Sequence, residues 1–279
     1  MGKDVITIGT VGYGYGAFLH VNGYKNAGGI PIRLKTVCAR NAEKAEAFRA
    51  KYNYEQICTS YDELVADPEI DLIDISVPPR LHIPYCIQAL KAGKSIICEK
   101  PITGYFGNGT DNIGKTVSKA QMWEEMDQQL TELKKVIHES KGKFFYAEDF
   151  VYATPVQKAA EILRAKKSKI MFMNGIESII GSTSEAASEW KNFGGGTTMR
   201  NGIHILSTMM YLKQVEAQAR GEKITVKSVM AEMGQISKVP LKEGEKQYAQ
   251  AHPNDVEDCS NIILTYSDGS MCNIIGTDA

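Results

Sequence analysis

Residues 5–20 read VITIGTVGYGYGAFLH. An apolar, β-branched run at 5–11 passes through glycines at 12, 14 and 16 and enters a helical pattern near Ala17. The spacing fits G-x-G-x-x-A: Gly12 makes the tight turn, Gly14 lets a pyrophosphate approach the backbone, and small Ala17 permits close helix–sheet packing. Tyr15 and Gly16 then fall at the helix start, where exposed N–H groups and the positive dipole end favour phosphate. A purely structural glycine turn, or a site for another nucleotide, fits the same letters, so the flanking chain has to decide.

Downstream, buried strands read at IRLKTVCA (32–39), DLIDISV (71–77) and KSIICE (94–99), with a weaker one at EQIC (55–58). Helical segments separate them at 17–26, 42–51, 61–66 and 81–92. Asn41 suits the N-cap of the second helix, Ser60 with Glu63 forms a capping box for the third, and Gly93 ends the fourth. Apolar strands alternating with helices predict a doubly wound parallel α/β sheet. In its first βαβ unit, the glycine loop points to a dinucleotide.

After Pro101 the rhythm breaks. GYFGNGTDNIGK (104–115) is glycine-rich and polar, a long helix comes next at 119–139, and KFFYAEDF (143–150) returns as a strand. Beyond it come a helix at 155–166, a strand at 169–178, a glycine-led helix, and strands at 224–236, 259–266 and 271–275, the last two joined by SDGS. These strands predict an α+β unit with an open mixed or antiparallel sheet. The expected division is a dinucleotide-binding domain at 1–149, with an insertion at about 104–118, and a substrate and oligomerisation domain at 150–279. The insertion reads as a surface excursion or a flap over the site.

With 279 residues, 43% hydrophobic and 23% charged, the chain can bury two cores. A net charge of −1 argues against nucleic acid or an anionic membrane surface as partner. Its six cysteines form no CxxC or metal-finger spacing, so no metal site is expected. No apolar run approaches the length of a membrane span, and the chain begins directly on a strand pattern, so the expectation is cytoplasmic.

Three groups of residues carry candidate chemistry. The second strand ends in Ala39 and Arg40 where a carboxylate would bind the ribose hydroxyl of NAD; arginine there tilts the expectation toward the 2′-phosphate of NADP, or it stacks on adenine. Glu99 and Lys100 lie at the C-terminal end of the fifth strand, the edge where open α/β sheets bind ligands. They form either an ordinary ion pair or an acid–base lysine. In GGGTTMRNGIH (194–204), Arg200 and His204 are i, i+4 neighbours beside a core stripe of Met199, Ile203, Leu206 and Met210. Gly202 inside that helix costs about 1 kcal/mol against alanine, which marks a close approach.

Together, VGYGYGAFLH, DISVPPRLH, the run ALKAGKSIICEKP and the later GGG…G-x-H resemble the glucose–fructose oxidoreductase/inositol dehydrogenase (Gfo/Idh/MocA) family. The resemblance implies a Rossmann domain, an open-faced mixed sheet and reversible oxidation of a sugar or polyol hydroxyl by NAD(P). It implies Lys100 and His204 as proton-transfer residues, Ser76, Val77, Pro78 and His82 on the cofactor-side loop, and Tyr152 facing substrate. A homo-oligomer assembled through the second sheet is expected. The family's usual aspartate four residues before the histidine is replaced by Arg200. That arginine either clamps an acidic sugar derivative or pairs with a carboxylate such as Glu148 or Asp149. The chain also ends soon after a hairpin, where relatives continue, which predicts a shortened second sheet. The rival function is a non-catalytic dinucleotide- and sugar-binding regulator.

Overall fold

The computed structural model describes residues 4–107, 109, 111–181, 185–245 and 253–278. Asn108 and Thr110 of the glycine-rich stretch lie outside the described residues. The chain divides into two compact units, Met1–Thr103 with Ala120–Ala147, and Gly104–Lys119 with Glu148–Ala279.

In chain order the elements through the first unit are β1 (Ile6–Val11), α1 (Tyr15–Asn26), β2 (Ile32–Cys38), α2 (Ala42–Tyr52), β3 (Gln56–Cys58), α3 (Tyr61–Ala66), β4 (Leu72–Ile75), α4 (His82–Lys91), β5 (Ser95–Glu99), the short α5 (Ile113–Thr116), α6 (Lys119–Glu139) and β6 (Phe144–Ala147). The six strands form one parallel sheet in the order β3-β2-β1-β4-β5-β6. The chain direction therefore switches beside β1, the place where doubly wound sheets bind ligands. Two apolar clusters flank the sheet. One gathers Ile73, Ile75, Ile96 and Leu90 with Leu133 and Val136 of α6; the other gathers Val21, Val37, Phe48 and Tyr54. Asn41 caps α2 as expected, its Oδ1 accepting from Lys44 N at 2.9 Å. Ser60 stands at the N-cap of α3 but makes no side-chain cap bond, so the expected capping box is not formed.

The second unit contains α5, α7 (Thr154–Lys166), β7 (Phe172–Ser178), the short α8 (Trp190–Phe193), α9 (Ile203–Arg220), β8 (Val226–Gly234), β9 (Cys259–Tyr266) and β10 (Met271–Thr277). Its sheet runs β7-β10-β9-β8 and is mixed: β7 pairs parallel with β10, and the other pairs are antiparallel. Alternation along β9 and β10 buries Ile262, Leu264, Cys272 and Ile274 against Met209 of α9.

The stretch expected as an insertion in the first domain clusters with this second unit and packs within it. Ile113 is fully buried, and Trp190 Nε1 donates to the Tyr105 carbonyl at 2.9 Å. The Lys119 ammonium lies 4.2 Å from the centre of the Trp190 ring.

The expected stripe on the glycine-led helix also differs from the observed one. Residues Thr198–Gly202 form a π-type turn before α9, so Met199 is out of α-helical register with Ile203 and the residues after it. Met209 is buried and Met210 is 47% exposed, so the core face holds Ile205, Leu206 and Met209, and of the predicted Met199–Ile203–Leu206–Met210 line Leu206 packs there while Met210 does not.

Candidate functional site

In the first unit the glycine loop has the geometry its spacing predicts. Gly12 has φ +113°, and a Cβ there would lie 2.0 Å from the Ser76 carbonyl oxygen, so only glycine fits. Nothing lies within 4 Å of where a Cβ at Gly14 would be. Helix α1 begins at Tyr15 with Gly14 at its N-cap, no side-chain cap bond and no acid in its first turn. Open space above an uncapped helix start suits a pyrophosphate, so these residues fit a dinucleotide. Tyr15 is exposed, Ala17 is fully buried, and a Cβ at Gly16 would meet the Glu99 side chain at 3.2 Å.

Arg40 stands exposed beyond β2, after buried Ala39. Ser76 and Val77 are half-buried and Pro78 is exposed. His82 differs from the other loop residues because its ring is fully buried. Nδ1 lies 2.7 Å from the Pro101 carbonyl and Nε2 2.8 Å from the Val77 carbonyl, so both ring nitrogens are engaged by the protein backbone. Burial pushes its pKa down against the opposing pull of those carbonyls. His82 thus ties the loop after β4 to the segment after β5.

A buried polar network lies behind the glycine loop. His20 Nδ1 donates to Asp74 Oδ1 at 2.8 Å, and its Nε2 donates to Glu99 Oε1 at 3.1 Å. Tyr24 and Ser76 hydroxyls also donate to Asp74, at 2.9 and 2.8 Å. Burial alone would lower the pKa of His20, but the hydrogen bonds and charges of Asp74 and Glu99 more than offset it and raise it to about 10. In turn Glu99 is held below the usual carboxylate range; burial opposes this, but the His20 bond and the nearby Lys100 charge prevail. Glu99 Oε2 also accepts from the Lys100 backbone N at 3.0 Å, which fixes the chain where Lys100 leaves β5. The Lys100–Pro101 peptide bond is cis. Sequence reasoning singles out Glu99 but misses His20 and Asp74, which are 54 residues apart. The available signal is a histidine inside the apolar stretch AFLHV of α1 and an aspartate inside the apolar strand LIDI.

In the second unit the three glycines owe their place to their own chain. A Cβ at Gly196 would lie 1.9 Å from the Glu257 carbonyl oxygen, and Gly194 packs on Gly104. The Glu257 carboxylate accepts from Gly196 N at 2.9 Å and Thr198 N at 3.1 Å, so it occupies the entrance to the π-type turn. The close approach marked by Gly202 is to Gly276 of β10, whose added Cβ would lie 3.2 Å from the Gly202 backbone. Arg200 forms a buried ion pair with Asp278, whose other oxygen accepts from Asn201 Nδ2 at 2.9 Å. Its carboxylate partner is therefore Asp278 rather than Glu148 or Asp149.

Glu148 instead binds His204. Its Oε1 lies 2.6 Å from His204 Nδ1, and the Phe150 ring stacks on the imidazole with centroids 4.4 Å apart. Asp149 lies farther, 3.7 Å from the same nitrogen, and its side chain is 77% exposed. Glu148, Asp149 and His204 are the described residues that converge closely enough to hold a metal ion. Tyr152, at the end of a 3-10 turn over Asp149–Tyr152, is 73% exposed.

Comparison with known proteins places this geometry. The Gfo/Idh/MocA model, described as an oxidoreductase family with an NAD-binding Rossmann fold, matches residues 6–140. Residues 6–140 belong to the Gfo/Idh/MocA oxidoreductase family. Among relatives, trans-1,2-dihydrobenzene-1,2-diol dehydrogenase of Mus musculus is 27% identical over 237 residues, covering 85% of this chain and 58% of the mouse protein. Levoglucosan dehydrogenase of Pseudarthrobacter phenanthrenivorans is 31% identical over 104 residues, 35% of this chain and 26% of that protein. A solved levoglucosan dehydrogenase, in complex with NADH and levoglucosan, superposes with a TM-score of 0.74 at 18% identity. The match covers 98% of this chain and 67% of the dehydrogenase, so the two share a fold over both units. The chain spans well under two thirds of the length of both relatives. Among the described residues, no helix is long and apolar enough to cross a membrane.

Proposed function

We propose that this chain carries out NAD(P)-dependent oxidoreduction of a secondary alcohol on a sugar or polyol, in the cytoplasm. The observation that carries the reading is the open space at Gly14 above the uncapped start of α1, in a segment of an NAD-binding oxidoreductase family. Gly12, Gly14, Tyr15, Gly16 and Ala17 would hold the pyrophosphate, with Ser76, Val77 and Pro78 beside the nicotinamide half. His82 supports that loop from beneath. Bound nicotinamide supplies the hydride acceptor. Lys100 and His204 are the candidates for moving the hydroxyl proton, and Glu99 orients the chain at Lys100. Tyr152, exposed just beyond Glu148 and Phe150, is the candidate substrate contact.

Exposed Arg40, with no carboxylate beside it at the end of β2, favours NADP. Arg200 is engaged by Asp278, which supports a neutral sugar or polyol over an acidic one. The outer face of the second sheet carries exposed Phe172, Ile176 and Met230, a pattern that supports self-association through that sheet.

Reduced-nicotinamide absorbance with each cofactor, against neutral and acidic sugars, tests the reading. Turnover with a neutral substrate is expected to fall at least about a hundredfold in Lys100→Ala and in His204→Ala. Tight cofactor binding without turnover across the panel would favour a regulatory, non-catalytic protein. Faster turnover of sugar acids, lost in Arg200→Ala, would restore an acidic substrate.

A further inference from the structure

We infer that Glu148 is the positioning residue that fixes the tautomer and the ring plane of His204. The inference rests on the dehydrogenase reading only for its catalytic consequence. Glu148 comes directly after β6, whereas His204 lies in the first turn of α9, so 56 residues separate the partners. Both side chains are buried, with residue exposures of 3% and 7%. A carboxylate oxygen only accepts, so the 2.6 Å contact places the proton on His204 Nδ1. Nε2 is then the ring nitrogen left with a lone pair, ready to take a proton from an alcohol.

Two further contacts hold the arrangement. Phe150 stacks on the imidazole at an interplanar angle of 16°, which restrains rotation of the ring. Phe150 is itself placed by Glu148, because its backbone N donates to Glu148 Oε1 at 3.3 Å. One carboxylate oxygen therefore sets both the proton position and the ring that packs over it. The other, Oε2, is buried with no hydrogen-bond partner. Burying such an oxygen costs stability, and a role in orienting His204 accounts for retaining the acid where leucine would pack without that cost. Exposed Asp149, 3.7 Å from Nδ1, has neither the distance nor the burial to do the same.

The test is nitrogen-15 NMR of the full chain, labelled at its five histidines, with His204→Gln assigning the His204 signals. The wild type is expected to show His204 protonated at Nδ1. Glu148→Leu should move the proton largely to Nε2 and lower kcat about tenfold to a hundredfold with little change in KM. Glu148→Gln, which retains an acceptor oxygen, should lie between the two, and Asp149→Asn should match the wild type. An unchanged tautomer in folded Glu148→Leu overturns the inference. So does a spectrum that changes on chelation, since that would put a cation on Glu148, Asp149 and His204. A shifted tautomer with kcat unaltered would uphold Glu148 as the positioning residue and overturn the proton-transfer role given to His204. If the wild type turns over no alcohol, the dehydrogenase reading fails, while the tautomer shift still decides whether Glu148 positions His204.

Discussion

The two sheets of this protein bury their residues differently. The parallel sheet of the first unit has helices on both faces, and Ile73 and Ile96 in its central strands are completely inaccessible. In the mixed sheet of the second unit, inward residues such as Leu264 and Ile274 are buried against α9, whereas outward Ile176 and Met230 are 57% and 70% exposed. A covered sheet favours apolar residues on both faces of its strands, apart from buried polar groups with partners such as Asp74; a half-covered one favours them at every second position. The first sheet therefore leaves room for function only at its C-terminal edge, where the glycine loop and the segment after β5 emerge. The second presents an entire face.

The severest test is Gly12→Ala. Its Cβ would collide with the Ser76 carbonyl and force a left-handed backbone, so a loss of at least about 3 kcal/mol, with loss of cofactor binding, is expected in urea unfolding and cofactor titration. An unaltered variant would mean that the loop has another shape.

A direct comparison of the sheets comes next. Ile73→Ala should cost about 2–5 kcal/mol, while Ile176→Ala on the open face should change unfolding free energy by less than about 0.5 kcal/mol. Equal effects would show that the outer face is covered.

The third test is set by pH. His20 has its pKa raised to about 10, so its protonated form stabilises the fold fully below its unfolded value near 6.5, and that contribution is lost as pH rises toward 10. Across that window the wild type should lose at most about 1.4 kcal/mol per pH unit from this group. The lowered pKa of Glu99 acts oppositely, its contribution being lost on acidification below about 4.5. Urea midpoints from pH 7 to 10 should therefore fall less steeply in His20→Gln than in the wild type; parallel curves would remove His20 from the network.

Legibility in the sequence depends on the distance over which residues act. The long helix at 119–139 and the strand at 259–266 are legible to the residue, because hydrophobic periodicity and turn residues are local. The glycine loop is legible from three glycines between a strand and a helix. The stretch at 104–118 goes to the wrong unit because composition alone does not reveal that Trp190 packs over Lys119 and binds the Tyr105 carbonyl. The stripe on the glycine-led helix is legible only in part, because Met199 precedes a π-type turn packed against Gly276 and Glu257, and Met209 in place of Met210 meets the sheet.

Patterns a few residues long therefore suffice for the doubly wound sheet, the glycine turn that opens α1 and the mixed second sheet. The partners of the ionisable groups come instead from tertiary packing. Asp278 rather than a ligand engages Arg200 from 78 residues away, two carboxylates hold His20 charged, and Glu148 meets His204. The reason is physical: a buried charge or ring nitrogen is satisfied by whatever group the fold brings within about 3 Å, and no local pattern records which one that will be.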